Sequence, residues 1–411
     1  MAEKKNQLFI LSLSLLLCVC RYGWCTDPSS ASPPAPPAGH MQPLGSHMEP
    51  KPVLRINHML TPQEFQEKYV VPKKPVIFEG LMSNLDVIKN WQSDDYLRTH
   101  FGNDLMGMEQ KKKENRSLYG LEIPMAEFLD KYNNSDIYMV SDPSPGMYNE
   151  WQLPRFLLCG GFTDHLSMIL LWFSSGGTKS VVHTDTIENL HCLISGTKKF
   201  VMIKPQFADL IGPEHKKKGF YDIDVDSVNM TTYPNLAKIP WHLAVLSPGD
   251  CLYLPFMWIH HVDSEGRNMG LNVWWNLFDF NAESCPSDAS ELPEFAPLSN
   301  YELETVMDLK KMLNAAKQND GSVHAEDLLT PMLLAEGMKL GHMFALLEDI
   351  KPGCDGVLSN IDELPRESLR SGALFMHDLF NSHANSEDNL EPLNDDSLEE
   401  EEEEHQNRDE L

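Results

Sequence analysis

Metal-binding residue types are concentrated in the stretch Ser180–Phe200, SVVHTDTIENLHCLISGTKKF. His183 and Asp185 are separated by one residue. In a β-strand, residues i and i+2 point to the same side, so this imidazole and this carboxylate can face one ion while Thr184 turns away. Two histidines and one carboxylate on one face of a metal, with the remaining positions open, are the ligand set of non-haem Fe(II) oxygenases. The third ligand must then come from a distant strand. LYLPFMWIHHVDS supplies His260 and His261. Strand alternation puts these two on opposite faces and does not choose between them. The first stretch ends in Lys198 and Lys199. A lysine inside a partly closed barrel holds a carboxylate through charge-assisted hydrogen bonds.

Such a set needs strands to position it. From Ile137 onward the chain reads as short β-rich runs, including DIYMVSD, LSMILLWFSS, SVVHTD, NLHCLIS, KKFVMIK, HLAVLSPGDCLYLP and NMGLNVWWNLF. Gly, Pro, Asn and Asp separate them. A helical preface comes first: TPQEFQEKYVV has a Thr cap and helical spacing, and SDDYLRTHFG and PMAEFLDKY follow it. Strands at close spacing after such a preface predict a β-barrel or double-sheet roll. After Phe280 the pattern turns helical again, predicting an all-α module over 296–382.

These motifs together resemble the JmjC-domain (cupin-like) family of Fe(II)- and 2-oxoglutarate-dependent oxygenases. The resemblance covers about 51–280. It is carried by KPVIFEG, H-T-D, SGTKKFVMIKP, GDCLYLPFMWIHH and GLNVWWN. It implies a double-stranded β-helix (jelly-roll cupin) with a helical N-terminal section. It also implies that His183, Asp185 and His260 hold the iron, since the family's distal histidine follows a P-x-x-W-x-H stretch. Lys198, fifteen residues after His183, is implied as the anchor of the remote 2-oxoglutarate carboxylate. Ser180, Asn189, Tyr138 and Asn272 fall at family positions for polar contacts to the co-substrate or the metal shell. The implied chemistry decarboxylates 2-oxoglutarate to succinate and CO2 and hydroxylates a substrate C–H bond.

The two ends of the chain suggest a compartment. Lys4 and Lys5 precede the apolar run LFILSLSLLLCVC, which is too short to span a bilayer comfortably, so 1–25 reads as a signal peptide. Residues 26–50 have the Pro/Ser/Ala composition of a linker with no means of forming a core. Residues 383–411 form an acidic tail with thirteen acidic residues against one arginine, expected to be disordered and solvated. It ends in Arg408-Asp409-Glu410-Leu411, which resembles the Lys-Asp-Glu-Leu retrieval signal. The expected location is therefore the endoplasmic reticulum lumen, with the retrieval receptor as a partner and no stable membrane span. Asn115, Asn133 and Asn229 head glycosylation sequons. The formal net charge of -28 argues against nucleic acid and anionic membranes as partners. Beyond the signal, Cys159, Cys192, Cys251, Cys285 and Cys354 allow two bridges at most. Cys192 and Cys251 fall in apolar strand-like runs and read as buried thiols, in a domain that does not depend on disulfides.

Two windows in the helical module, AKQNDGSVHAED and KPGCDGVLSNID, have the outline of EF-hand calcium loops. Gly321 and Gly356 take the sixth position, and Val323 and Leu358 the eighth. The first position is Ala316 or Lys351 and the third Gln318 or Gly353, so strong ligands are missing. A degenerate EF-hand pair with weak Ca2+ contact and a simple pair of Asp-Gly turns fit equally well. For the whole chain, the expected function is a lumenal hydroxylase acting on a protein or peptide substrate of the secretory pathway. The alternative is a non-catalytic cupin-like binding or calcium-handling scaffold.

Overall fold

The structure, a computed structural model, describes residues 35–109, 121–217, 219–316, 323–324 and 357–358. The helical preface forms as the caps direct. Thr61 starts α1 (Pro62–Phe65) with a reciprocal capping box: its Oγ1 accepts from Glu64 N and Glu64 Oε2 accepts from Thr61 N, both at 3.1 Å. Ser93 caps α3 (Asp94–Phe101), which follows α2 (Asp86–Trp91), and α4 (Met125–Lys131) comes later in the chain. These helices bury Phe65, Trp91, Leu97 and Phe128 in one apolar cluster with the strands. Each such side chain contributes about 1.5–3 kcal/mol of burial.

The strands that frame the site include β1 (Leu54–Ile56), β2 (Val76–Phe78), β3 (Leu105–Glu109), β4 (Leu121–Pro124), β5 (Tyr138–Ser141), β6 (Leu166–Ser174), β7 (Thr178–Lys179), β8 (Val182–Thr184), β9 (Glu188–Ile203), β10 (Phe220–Tyr221), β11 (Trp241–Leu246), β12 (Cys251–Leu254) and β13 (Ile259–Trp275). The main path runs β1-β2-β12-β9-β13-β6-β5-β3-β4. β9 and β13 are its spine. They pair antiparallel from Glu188↔Trp275 to Ile203↔Ile259, with register shifts between Leu193 and Thr197. On one side of that irregularity β9 also pairs with β12, and on the other with β11. β8 is pinned between β13 and β10. This is the mostly-β cupin roll with a helical N-terminal section that the strand pattern and the family resemblance imply.

The irregularity also changes which residues face inward. Asn189 and His191 line the cavity at odd positions and Lys198 and Phe200 at even ones. A β-bulge supplies the extra residue that shifts the alternation. Gly196 lies inside it with φ +82, and a Cβ there would come within 2.6 Å of Glu265 O.

Three sequence expectations need correction. Cys192 and Cys251 are not thiols. They stand directly opposite on β9 and β12 with Cα atoms 4.0 Å apart, and their sulfurs are bonded. Cys159 and Cys285 form a second bridge across a separation of 126 residues. Isolated apolar runs do not reveal which strands pair, and that pairing decides the disulfide. The linker reading of 26–50 fails for its last part: Leu44 and His47 are buried, and Trp241 Nε1 donates to Met48 O at 2.8 Å. The domain also passes Phe280. Phe295–Pro297 pairs with Gln152–Pro154, and Leu298, Leu303 and Val306 join the main core.

The stretch 304–316 is helical, as the apolar spacing indicates. Val323 pairs with Leu358 and His324 with Val357 in a two-residue antiparallel bridge. The bridge joins the eighth positions of the two EF-hand-like windows. Apart from Ala316, Val323, His324, Val357 and Leu358, those windows lie outside the described residues, as do the acidic tail, the signal segment and Asn115. Asn133 and Asn229 are exposed. Among the described residues, no helix is long and apolar enough to cross a membrane.

Candidate active site

β8 and β13 run antiparallel with His183 paired directly to His260. The two imidazole centroids are 4.1 Å apart. His183 Nδ1 lies 2.8 Å from Val181 O and His260 Nδ1 lies 3.0 Å from Trp258 O. A carbonyl only accepts, so each Nδ1 carries a proton and each Nε2 is the nitrogen left for a ligand. Those Nε2 atoms are each 3.7 Å from an oxygen of Asp185. One ligand atom from each of the three residues falls within 4.8 Å of the others. Burial, and then His183, lower the His260 pKa to about 4, so this ring is neutral at physiological pH. Two imidazole nitrogens and a carboxylate thus converge. Such a set fits Fe(II), to which it offers two nitrogens and one oxygen.

A turn before β13 helps place these ligands. Trp258 N donates to Pro255 O at 3.2 Å, and Met257 takes φ +66 at the third position of that turn. A non-glycine residue in this region costs roughly 1–2 kcal/mol. Two contacts hold it there. Met257 N donates to Asp185 O at 2.9 Å. Glu188 Oε2 accepts from Phe256 N at 3.0 Å and from Tyr253 Oη at 2.7 Å. Glu188, buried at 1% exposure, therefore couples β9 to the turn that delivers His260. Sequence reasoning missed Glu188. Its position between Ile187 and the strand-like NLHCLIS run was its only signal.

His261 points elsewhere. Its Nδ1 donates to Ser180 O at 2.8 Å and its Nε2 is 3.2 Å from Asp263 Oδ1. The choice between the two histidines, open to strand alternation, falls geometrically on His260.

The three metal-facing residues line a cavity with about 120 Å³ of free volume, and Tyr138, Ser180, Asn189, Lys198 and Asn272 line it too. Lys198 is 3% exposed, and burial alone lowers its pKa to about 7. No carboxylate among the described residues contributes to that shift. A buried ammonium without a counter-charge is a site for an anion supplied from outside. Lys199, in contrast, is solvent-facing and paired with Glu265 at 2.6 Å. Two cavity residues that sequence reasoning did not name share the Lys198 row: Ser264 pairs with Lys198 on one side and Thr178 on the other. Ser180 is differently engaged from what the resemblance implies. Its hydroxyl donates to Val181 O at 3.0 Å and accepts from Val262 N at 2.9 Å. Its single proton is thus directed at the backbone. Asn272 Nδ2 donates to Asn189 Oδ1 at 3.0 Å, which joins these two into one unit.

A roll of this topology around a His-x-Asp…His cluster, with a lysine buried beside it, defines the class of cupin-type metal-dependent oxygenases. The sequence places the chain within it. A family model described as "Cupin-like domain" matches residues 62–280 of the 411. The chain belongs to this family and to its JmjC branch of Fe(II)/2-oxoglutarate oxygenases. It is 23% identical over 230 residues to lysine-specific demethylase 8 of Xenopus tropicalis, covering 53% of this chain and 52% of that protein. It is 34% identical over 109 residues to Jumonji C domain-containing protein 5 of Drosophila melanogaster, covering 26% and 27%. It is 29% identical over 140 residues to tRNA wybutosine-synthesizing protein 5 of Gallus gallus, covering 34% and 42%. The chain spans about half the length, or less, of these curated relatives.

Proposed function

We propose that this protein is an Fe(II)- and 2-oxoglutarate-dependent oxygenase of the endoplasmic reticulum lumen that hydroxylates a protein or peptide substrate. One observation carries the reading. Ligand atoms of two histidines and an aspartate meet on the wall of a cavity, and a buried lysine with no carboxylate partner among the described residues also lines it. His183, Asp185 and His260 would hold the iron. Lys198 would pair with the remote carboxylate of 2-oxoglutarate, and Asn189 and Asn272 would orient the rest of it. When bound, Fe(II) would activate O2, the oxidant, with 2-oxoglutarate supplying two electrons as it is decarboxylated to succinate and CO2, so that one oxygen atom enters succinate and the other the substrate C–H bond. The chain binds and orients the co-substrate and keeps the cavity shielded by apolar walls such as Phe200 and Trp172.

The compartment rests on the apolar N-terminal run, the Arg408–Leu411 end and the two disulfides. Disulfides persist in oxidising compartments and are rare in the cytosol. A lumenal protein does not meet histones, so histone demethylation is disfavoured. The net charge of -28 disfavours a tRNA substrate. The Val323–Leu358 bridge favours a paired EF-hand-like unit, and with it a calcium-responsive scaffold role beside or in place of catalysis. Succinate formation by purified iron-loaded protein, with and without a lumenal extract, separates these readings. No succinate under either condition, in a protein that binds iron, would remove the enzyme reading and leave the scaffold.

A further inference from the structure

His191 lies on the cavity wall beside the groups assigned to the co-substrate. It is 2% exposed, and its partners can be traced atom by atom. Its Nδ1 is 2.6 Å from Asn272 Oδ1. The same Asn272 turns its Nδ2 to Asn189 Oδ1 at 3.0 Å. An amide oxygen only accepts, so His191 Nδ1 carries a proton. The chain of donors therefore runs one way, from His191 through Asn272 to Asn189. At its end, the Asn189 amide NH2 is the group left for the cavity.

The opposite arrangement can be written equally well on paper. If Nε2 carried the proton, Nδ1 would accept and Asn272 would turn its NH2 toward it. Asn272 Oδ1 would then face Asn189, and Asn189 would show a carbonyl oxygen to the cavity. That oxygen would repel a dicarboxylate. One feature of the structure selects the first arrangement. His191 Nε2 is buried without a hydrogen-bond partner among the described residues, so no acceptor stabilises a proton there. Burial and Lys198, in that order, also hold the ring neutral, and His260 adds to this in the same direction. The Cε1–Nε2 edge fits because residue 270 is glycine: a Cβ there would lie 2.7 Å from both atoms.

We propose that His191 is a positioning residue that fixes the polarity of the Asn272–Asn189 pair, so that Asn189 offers N–H donors to an anionic 2-oxo diacid. This rests on the 2-oxoglutarate reading of the cavity and adds to it a residue whose own atoms need not touch the ligand.

The test uses full-length mature protein loaded with Mn(II), with 2-oxoglutarate binding measured by calorimetry. His191→Phe keeps a ring of similar size and removes both nitrogens. It should weaken 2-oxoglutarate roughly tenfold, equivalent to about 1.4 kcal/mol, and leave Mn(II) affinity unchanged. His191→Asn returns an N–H donor near the Nδ1 position and should recover most of the loss. Nitrogen-15 NMR of the histidine side chains should show the His191 proton on Nδ1, with or without ligand. A folded His191→Phe protein that binds 2-oxoglutarate as the wild type does would overturn the proposal. So would a proton found on Nε2. Should His191→Phe not fold, the His191→Asn affinity and the tautomer decide. Should the wild type itself not bind 2-oxoglutarate, the co-substrate reading fails, while the tautomer in the free protein still judges the relay.

Discussion

His183 and His260 stand directly across from each other on antiparallel strands, and each directs its Nε2 at a different oxygen of Asp185 from 3.7 Å. The backbone carbonyls of Val181 and Trp258 hold the two Nδ1–H groups and so keep both Nε2 atoms free. The candidate metal site is in this sense built into the strand pairing.

Removing any of the three ligands should therefore abolish metal binding. His183→Ala, Asp185→Ala and His260→Ala are expected to lower Fe(II) or Mn(II) affinity by more than about 100-fold, beyond the loss typical of an outer-shell partner. His261→Ala should retain the metal, because that ring pairs with Ser180 O and Asp263. Metal content of the folded proteins decides. Stoichiometric metal in His183→Ala would sink the assignment.

Lys198 should show a conflict between stability and function. Burial moves its pKa from 10.5 to about 7. Between those values the unfolded chain binds more protons than the folded one, so stability rises with pH across that window. Below pH 7 the ammonium is charged in both states and its burial penalty is complete. Lys198→Met is thus expected to stabilise the ligand-free protein by a few kcal/mol below pH 7. The gain should shrink toward pH 10.5. The same variant should lose 2-oxoglutarate binding, whereas Lys199→Ala should not. Thermal melts across pH and a titration with 2-oxoglutarate check both parts. A uniform effect of Lys198→Met at all pH values would argue for lost packing instead.

The His183–Asp185 pair was legible from its spacing, i and i+2 on one strand, whereas Lys198 was implied by the family resemblance. That resemblance also implied His260 over His261, a choice alternation could not make because it only says that the two differ in face. The choice needs the pairing of β8 with β13, a long-range fact. Asn189 and Lys198 lie an odd number of positions apart, so simple alternation places them on opposite faces. The irregularity through Gly196 brings them to the same one. His191 was legible in principle, because in NLHCL it shares the face of Asn189. The partner that gives it meaning, Asn272, lies 81 residues away. The disulfides failed for the same reason. An apolar run around a cysteine marks burial and leaves the opposing residue unknown.

The two bridges should contribute measurably to stability. Cys192–Cys251 encloses a separation of 59 residues, for which loop-closure entropy predicts about 4 kcal/mol. Its sulfurs are in the core, while Cys285 is partly accessible. Mild reductant is thus expected to open Cys159–Cys285 first, with a modest fall in melting temperature. The core bridge should open only on unfolding. Thiol labelling followed by peptide mapping reads the order. Labelling of Cys192 in the folded, unreduced protein would show that its bridge does not form.

The compartment can be tested through Asn229 and the chain end together. Asn229 is exposed, and its Oδ1 accepts from both the N and the Oγ1 of Thr231, at 3.0 and 2.6 Å. That contact leaves the amide nitrogen, the atom a glycan would modify, turned to solvent in a surface turn. Asn133 is also exposed, just after the last turn of α4. In secreting cells, enzymatic deglycosylation should shift the wild-type protein, and Asn133→Gln with Asn229→Gln should each remove part of the shift. A retrieval signal is read by a receptor at a free C-terminus. Deleting 408–411 should therefore send the glycosylated protein into the medium, while deleting 1–25 should leave it cytosolic and unmodified. The disulfides make a further demand: the cytosolic form should accumulate reduced and less stable. Full-length protein found in the cytosol with no glycan and free Cys159 would overturn the lumenal reading, and would return cytosolic and nuclear proteins as substrates for the same site.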